Sequence, residues 1–152
     1  MRFVLLCDAS QPERVAPICR KTGLGVEIQA FSNPEYPNLN PDGLALHHKH
    51  YDAISPKALH GPFGDLSFGS CDALIQKVTR DRFEFAYGKA VELGAQHVVL
   101  HHGYVPHTNT YGGWLRRSVK FWEDFLATKS PDVTFYLENL LEVDAELIGD
   151  VL

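Results

Sequence analysis

Ser70 to Gly103, SCDALIQKVTRDRFEFAYGKAVELGAQHVVLHHG, is the stretch on which the reading of the whole chain turns. Leu74, Val78, Phe85, Ala86 and Leu93 fall near one face of a 3.6-residue period, Ser70 can cap the start, and Gly94 stands where a left-handed residue ends a helix. His97 to Leu100 then forms a short apolar run, the mark of a buried strand. A long helix feeding directly into such a strand, which closes on His101-His102-Gly103, is one β/α repeat.

The same alternation extends both ways. Phe3 to Cys7, Val26 to Phe31, Ala58 to Leu59 before His60, and Val133 to Leu137 are further short apolar runs. Between the first two, Ser10 and Glu13 have capping-box spacing for a helix ending before Gly23, with Pro17 kinking it or shifting its start. Pro41 to Tyr51 predicts a shorter helix after an Asn- and Pro-rich loop, Ser32 to Asn40, long enough to reach over a site. Gly113 to Thr128 predicts another, packed through Leu115, Val119, Trp122 and Leu126, with Arg116, Arg117, Lys120 and Asp124 on the opposite face.

Crossovers this long, each helical, join parallel strands. No Gly-rich phosphate fingerprint follows the first strand, where Cys7-Asp8-Ala9-Ser10 stands, so a closed barrel is favoured over a dinucleotide-binding sheet. The predicted class is α/β, a (β/α)8 TIM barrel. At about 31 residues per unit, 152 residues supply about the first five units. Residues 1–152 are expected to be one domain, cut short at the C-terminus, since Val143 to Leu152 begins a helix that nothing stops. Five strands alone expose two edges and half an apolar interior, which further chain or association into a homo-oligomer would cover.

Composition narrows the function. Lys and Arg number 14 against 19 Asp and Glu, the reverse of what a phosphate-gripping surface needs, so nucleic acid is not the expected partner. Cys7, Cys19 and Cys71 form no C-x-x-C pair, and the opening apolar run is too short for a signal or a membrane span. A reducing cytoplasm is the expected home.

The chemistry gathers at strand ends. His60 precedes Gly61-Pro62-Phe63, His101-His102 precedes Gly103, and Glu138 precedes Asn139. In a barrel the C-terminal strand tips form the active-site face, and imidazoles with a carboxylate make a mixed N/O set suited to zinc, manganese, magnesium or cobalt. His101 and His102 point to opposite sides of their strand, and alternation does not choose between them. A carboxylate closing the apolar run Phe135-Tyr136-Leu137 is costly to bury unless a cation or donor meets it. Glu27 has two readings: it faces the interior and orients a ligand, or it closes an ion pair. His107, Asn109 and Tyr111 lie in a loop near enough to touch substrate. Phe31, Phe63, Tyr104 and Trp114 are candidates for an apolar platform under a sugar ring. His47, His48 and His50 are read with Lys49 as a solvated helix face, and Arg80 and Arg82 as helix decoration.

Leu59-His60-Gly61-Pro62-Phe63, Val98-Val99-Leu100-His101-His102-Gly103 and Tyr136-Leu137-Glu138-Asn139, in order and at barrel spacing, resemble the xylose isomerase-like barrel superfamily. That superfamily holds sugar isomerases, sugar epimerases and an apurinic endonuclease branch, all metal-dependent. The resemblance implies that His60, His101 and Glu138 are metal ligands, choosing His101 over His102, and that Glu138 is also the catalytic base. Ligands that relatives draw from strands six to eight, including a second catalytic carboxylate, have no counterpart here. The resemblance implies isomerisation or epimerisation of a sugar or sugar phosphate by proton abstraction beside a carbonyl. The alternatives are zinc-dependent phosphodiester cleavage and a truncated barrel that binds without turnover.

Overall fold

The computed structural model describes residues 5–139 and 146–151. Five strands, β1 (Leu5–Cys7), β2 (Gly25–Ile28), β3 (Lys57–His60), β4 (His97–His101) and β5 (Thr134–Glu138), form one sheet in chain order with every neighbouring pair parallel. Helices α1 (Pro12–Thr22), α2 (Tyr36–Leu39), α3 (Gly43–Tyr51), α4 (Ala73–Leu93) and α5 (Tyr111–Leu126) fill the crossovers, and α6 (Glu146–Gly149) follows β5. This is the α/β alternation of a partial TIM barrel. No described helix is long and apolar enough to cross a membrane. Part of the expected Val143 to Leu152 helix lies outside the described residues.

Strand alternation divides the molecule into two faces. Val26, Ile28, Leu59, Val98 and Leu100 point at the helices and are at most 1% exposed. Glu27, Ala58, His60, His97, Val99, His101, Tyr136 and Glu138 take the opposite parity and line the inner face of the sheet.

The long helices form where expected, but each is rotated from its predicted face. The buried stripe of α4 is Thr79, Phe83, Ala86, Ala90 and Leu93, at offsets of four, three, four and three. Leu74 and Val78, expected to pack, are 73% and 48% exposed. Asp72 rather than Ser70 caps this helix, its Oδ1 accepting the Leu74 N–H at 2.7 Å, and Gly94 closes it with φ +63°. On α5 the buried residues are Gly113, Trp114, Ser118, Phe121, Trp122 and Phe125, while Leu126 is exposed. The aromatic rings Phe68, Phe83, Phe121, Trp122 and Phe125 meet edge-on, tilted or stacked at 5.4–6.2 Å, and that cluster sets the rotation.

At α1 the predicted capping box is not made. Pro12 opens the helix, Ser10 sits at φ 59° with its N–H on Asp8 Oδ1, and Gly23 ends it with φ +70°. Pro17 stays inside α1, forfeiting only the bond its missing N–H would make to the Glu13 carbonyl.

The solvated reading of α3 fails for His47, which is wholly buried. Its Nδ1 lies 2.7 Å from the Gly43 carbonyl and its Nε2 3.5 Å from Asp8 Oδ2. Asp8, also wholly buried, takes the N–H groups of Ser10 and Gln29 on Oδ1 and the Tyr51 hydroxyl on Oδ2, binding the ends of β1 and β2 to α3. Burial, followed by the Asp8 charge and hydrogen bond, raises the Tyr51 phenol far above its ordinary 10.0, and burial raises Tyr36 in the same direction. Since the folded phenol holds its proton to higher pH than the unfolded one, stability holds below about pH 10 and falls as pH rises beyond it, by at most about 1.4 kcal/mol per pH unit for each such tyrosine. Urea midpoints measured from about pH 8 to about pH 11 should therefore drop, and less steeply in Tyr51→Phe. An identical alkaline limb in the variant would remove Tyr51 as the cause.

Candidate metal centre

Because β3, β4 and β5 are adjacent, parallel and in register with His60 beside Val99 and His101 beside Glu138, three chemically distinct chain segments deliver their last inward-facing residue to one spot. His60 Nε2 and His101 Nε2 are 3.2 Å apart. Glu138 Oε2 lies 3.9 Å from the first and 3.7 Å from the second. Both imidazoles are more than nine-tenths buried, while the Glu138 side chain, on the last strand of the described sheet, is 57% exposed.

The His60 ring is held in one tautomer. Its Nδ1–H donates to the Gly61 carbonyl at 2.9 Å, so a neutral ring presents its lone pair at Nε2, toward His101. Phe63 closes the side of the pair, 5.4 Å from His60 and 4.6 Å from His101 between ring centroids. This group of three can hold a metal ion. The distances support it: the in-plane point equidistant from the three donor atoms lies about 2.1 Å from each, the bond length of zinc to imidazole nitrogen and carboxylate oxygen.

Beside His101 opens a cavity of about 460 Å³. Phe63 and Tyr104 supply apolar walls, and Asp65, Ser67, Thr108 and Asn109 supply polar groups. Among the described residues no Lys or Arg lines it.

Not every predicted residue comes here. His102 is wholly buried on the helix side, its ring 4.5 Å from Trp114, so strand parity with the observed faces selects His101. Trp114 is 0% exposed and Phe31 1%, and neither can offer a face to a sugar; both are packing residues. Phe63 and Tyr104 remain as the accessible pair. Glu27 lies on the inner face of β2 but outside the group of three, its Oε1 accepting from Gln29 Nε2 at 3.4 Å. His107 is exposed, with φ 67°, and does not line the cavity. Asp65 and Ser67 were missed because the twelve-residue loop between β3 and α4 carries no periodicity that says which side chains turn inward.

No family model and no curated protein matches the chain. Solved structures do. The TTHB071 protein from Thermus thermophilus, from a crystal soaked with zinc chloride, is 26% identical with a TM-score of 0.64 over 97% of this chain and 61% of that one. A D-tagatose 3-epimerase-like protein gives 20% identity and 0.64 over 100% and 60%, and an IolI protein with a bound zinc atom 16% and 0.66 over 91% and 52%. The fold is that of the xylose isomerase-like TIM barrels. The chain spans about three-fifths of the length of the first two structures. That fold accounts for the parallel strand order, and the candidate centre lies at the C-terminal ends of β3, β4 and β5.

Proposed function

We propose that the chain carries part of the active site of a divalent-metal-dependent sugar isomerase or epimerase, with His60, His101 and Glu138 as its ligands on strands three to five. The observation that carries this reading is the convergence of two neutral-capable imidazole nitrogens and one carboxylate oxygen beside a sugar-sized cavity. Two of the solved structures it resembles involve zinc, and one is described as epimerase-like.

A bound divalent ion would polarise the oxygens of an α-hydroxy carbonyl substrate. Phe63 and Tyr104 would face the sugar ring, and Asn109 and Thr108 would take its hydroxyls. Glu138, holding the ion through Oε2, would keep Oε1 to remove the proton from the carbon beside the carbonyl and to return it to the neighbouring carbon on the same face, whereas epimerisation also needs a second proton donor across the substrate. Walls without Lys or Arg fit an uncharged polyhydroxy substrate and weigh against phosphodiester cleavage, which places anionic oxygens at the site.

The test is solvent exchange. The zinc- or manganese-loaded chain, incubated with ketohexoses in deuterium oxide, should wash deuterium into the carbon next to the carbonyl. Glu138→Gln should slow this by about a hundredfold or more. Metal bound at full occupancy without exchange into any sugar would sink the catalytic reading and leave a binding barrel.

A further inference from the structure

Between them α4 and α5 leave a groove of about 430 Å³ that shares no lining residue with the cavity beside His101. Lys77 and Arg80 border it from α4, and Arg116, Arg117 and Lys120 from α5, against one lining carboxylate, Asp124. Five cations converge on one groove in a chain whose formal net charge is −5. The spacing is helical on both walls, so successive turns aim their charges into the same space.

The three guanidinium groups are not consumed by carboxylates. Arg80 lies over the Phe121 ring, its Cζ 4.7 Å from the centroid, and has no carboxylate partner among the described residues. Arg117 gives Nε to the Gly69 carbonyl at 2.9 Å and Nη2 to Asn109 Oδ1 at 3.1 Å, keeping Nη1 for another acceptor. Arg116 has no carboxylate partner among the described residues. The two lysines do pair, Lys77 with Asp81 and Lys120 with Asp124, but these are solvent-exposed pairs that salt screens and a stronger anion displaces.

We propose that this groove binds a small oligophosphate anion, the di- or triphosphate portion of a phosphorylated metabolite. Guanidinium forks match phosphate oxygens two at a time, and the Arg80 and Arg116 forks with the Arg117 Nη1 and two flanking ammonium groups match several linked phosphates rather than one. An extended nucleic-acid backbone fits less well, because the acidic remainder of the chain would repel strand leaving the groove.

Calorimetric titration of the 152-residue chain with inorganic triphosphate near physiological salt tests this. One saturable site is expected, weakened about tenfold in Arg80→Gln and in Arg116→Gln, with thermal midpoints unchanged. Lys77→Gln, at a solvent-exposed position, serves if either arginine variant fails to fold. His60→Ala should bind triphosphate as the parent does, which separates this site from the metal centre. Absence of a saturable site, equal affinity in the variants, or inorganic phosphate binding as tightly as triphosphate would overturn the proposal. Tighter binding of single-stranded oligonucleotides, growing with length, would replace it with a nucleic-acid surface.

Discussion

His60→Ala and His101→Ala are each expected to weaken zinc binding by at least about a hundredfold in competition with a chromophoric chelator, because each removes one of three converging donors. Loss of an outer-shell hydrogen bond alone costs about ten- to a hundredfold, and a lost ligand exceeds that. Glu138→Ala should follow them, since the two imidazoles alone leave a neutral, two-donor site. The decisive comparison is with His102→Ala. That residue is chemically identical, adjacent in sequence and wholly buried, but it faces Trp114 and Phe68. Its removal should leave zinc affinity unchanged and lower the unfolding midpoint. Equal zinc loss in His101→Ala and His102→Ala would mean that His101 does not alone face the centre and that the assigned strand parity is wrong.

Trp114→Ala is expected to cost about 3–5 kcal/mol of stability, the range for deleting a large buried aromatic. The ring is 0% exposed and meets His102, Tyr104 and Phe68 at centroid distances of 4.5, 5.1 and 5.5 Å. Because Tyr104 borders the cavity and leans on Trp114, the variant should also loosen ligand binding, while zinc affinity of the folded fraction stays the same. Trp114→Phe, which refills much of the space, should recover most of the loss. Unchanged stability in Trp114→Ala with ligand affinity abolished would instead make this ring a substrate platform.

Strand and helix identities were legible because their signals are local. The five apolar runs, the closing glycines Gly23 and Gly94 and the length of each crossover required no knowledge of distant contacts. Helix rotation was not legible to the same degree. On α4 and α5 several apolar stripes compete, and Leu74, Val78 and Leu126 lost to Phe83, Phe121 and Phe125 because those rings pack on one another across elements. His47 was hidden for a related reason: a polar helix face reads as solvated until an anion such as Asp8, distant in sequence, is placed against it.

For this chain, the sequence by itself determined the parallel α/β order and put His60, His101 or His102, and Glu138 at strand ends, since periodicity and punctuation are properties of neighbouring residues. Only the tertiary structure decided that His101 faces inward, that Trp114 belongs to the core and that five cations border one groove. Those facts depend on which face each element turns to its neighbours, and that choice is made by side chains packing between segments far apart in the chain.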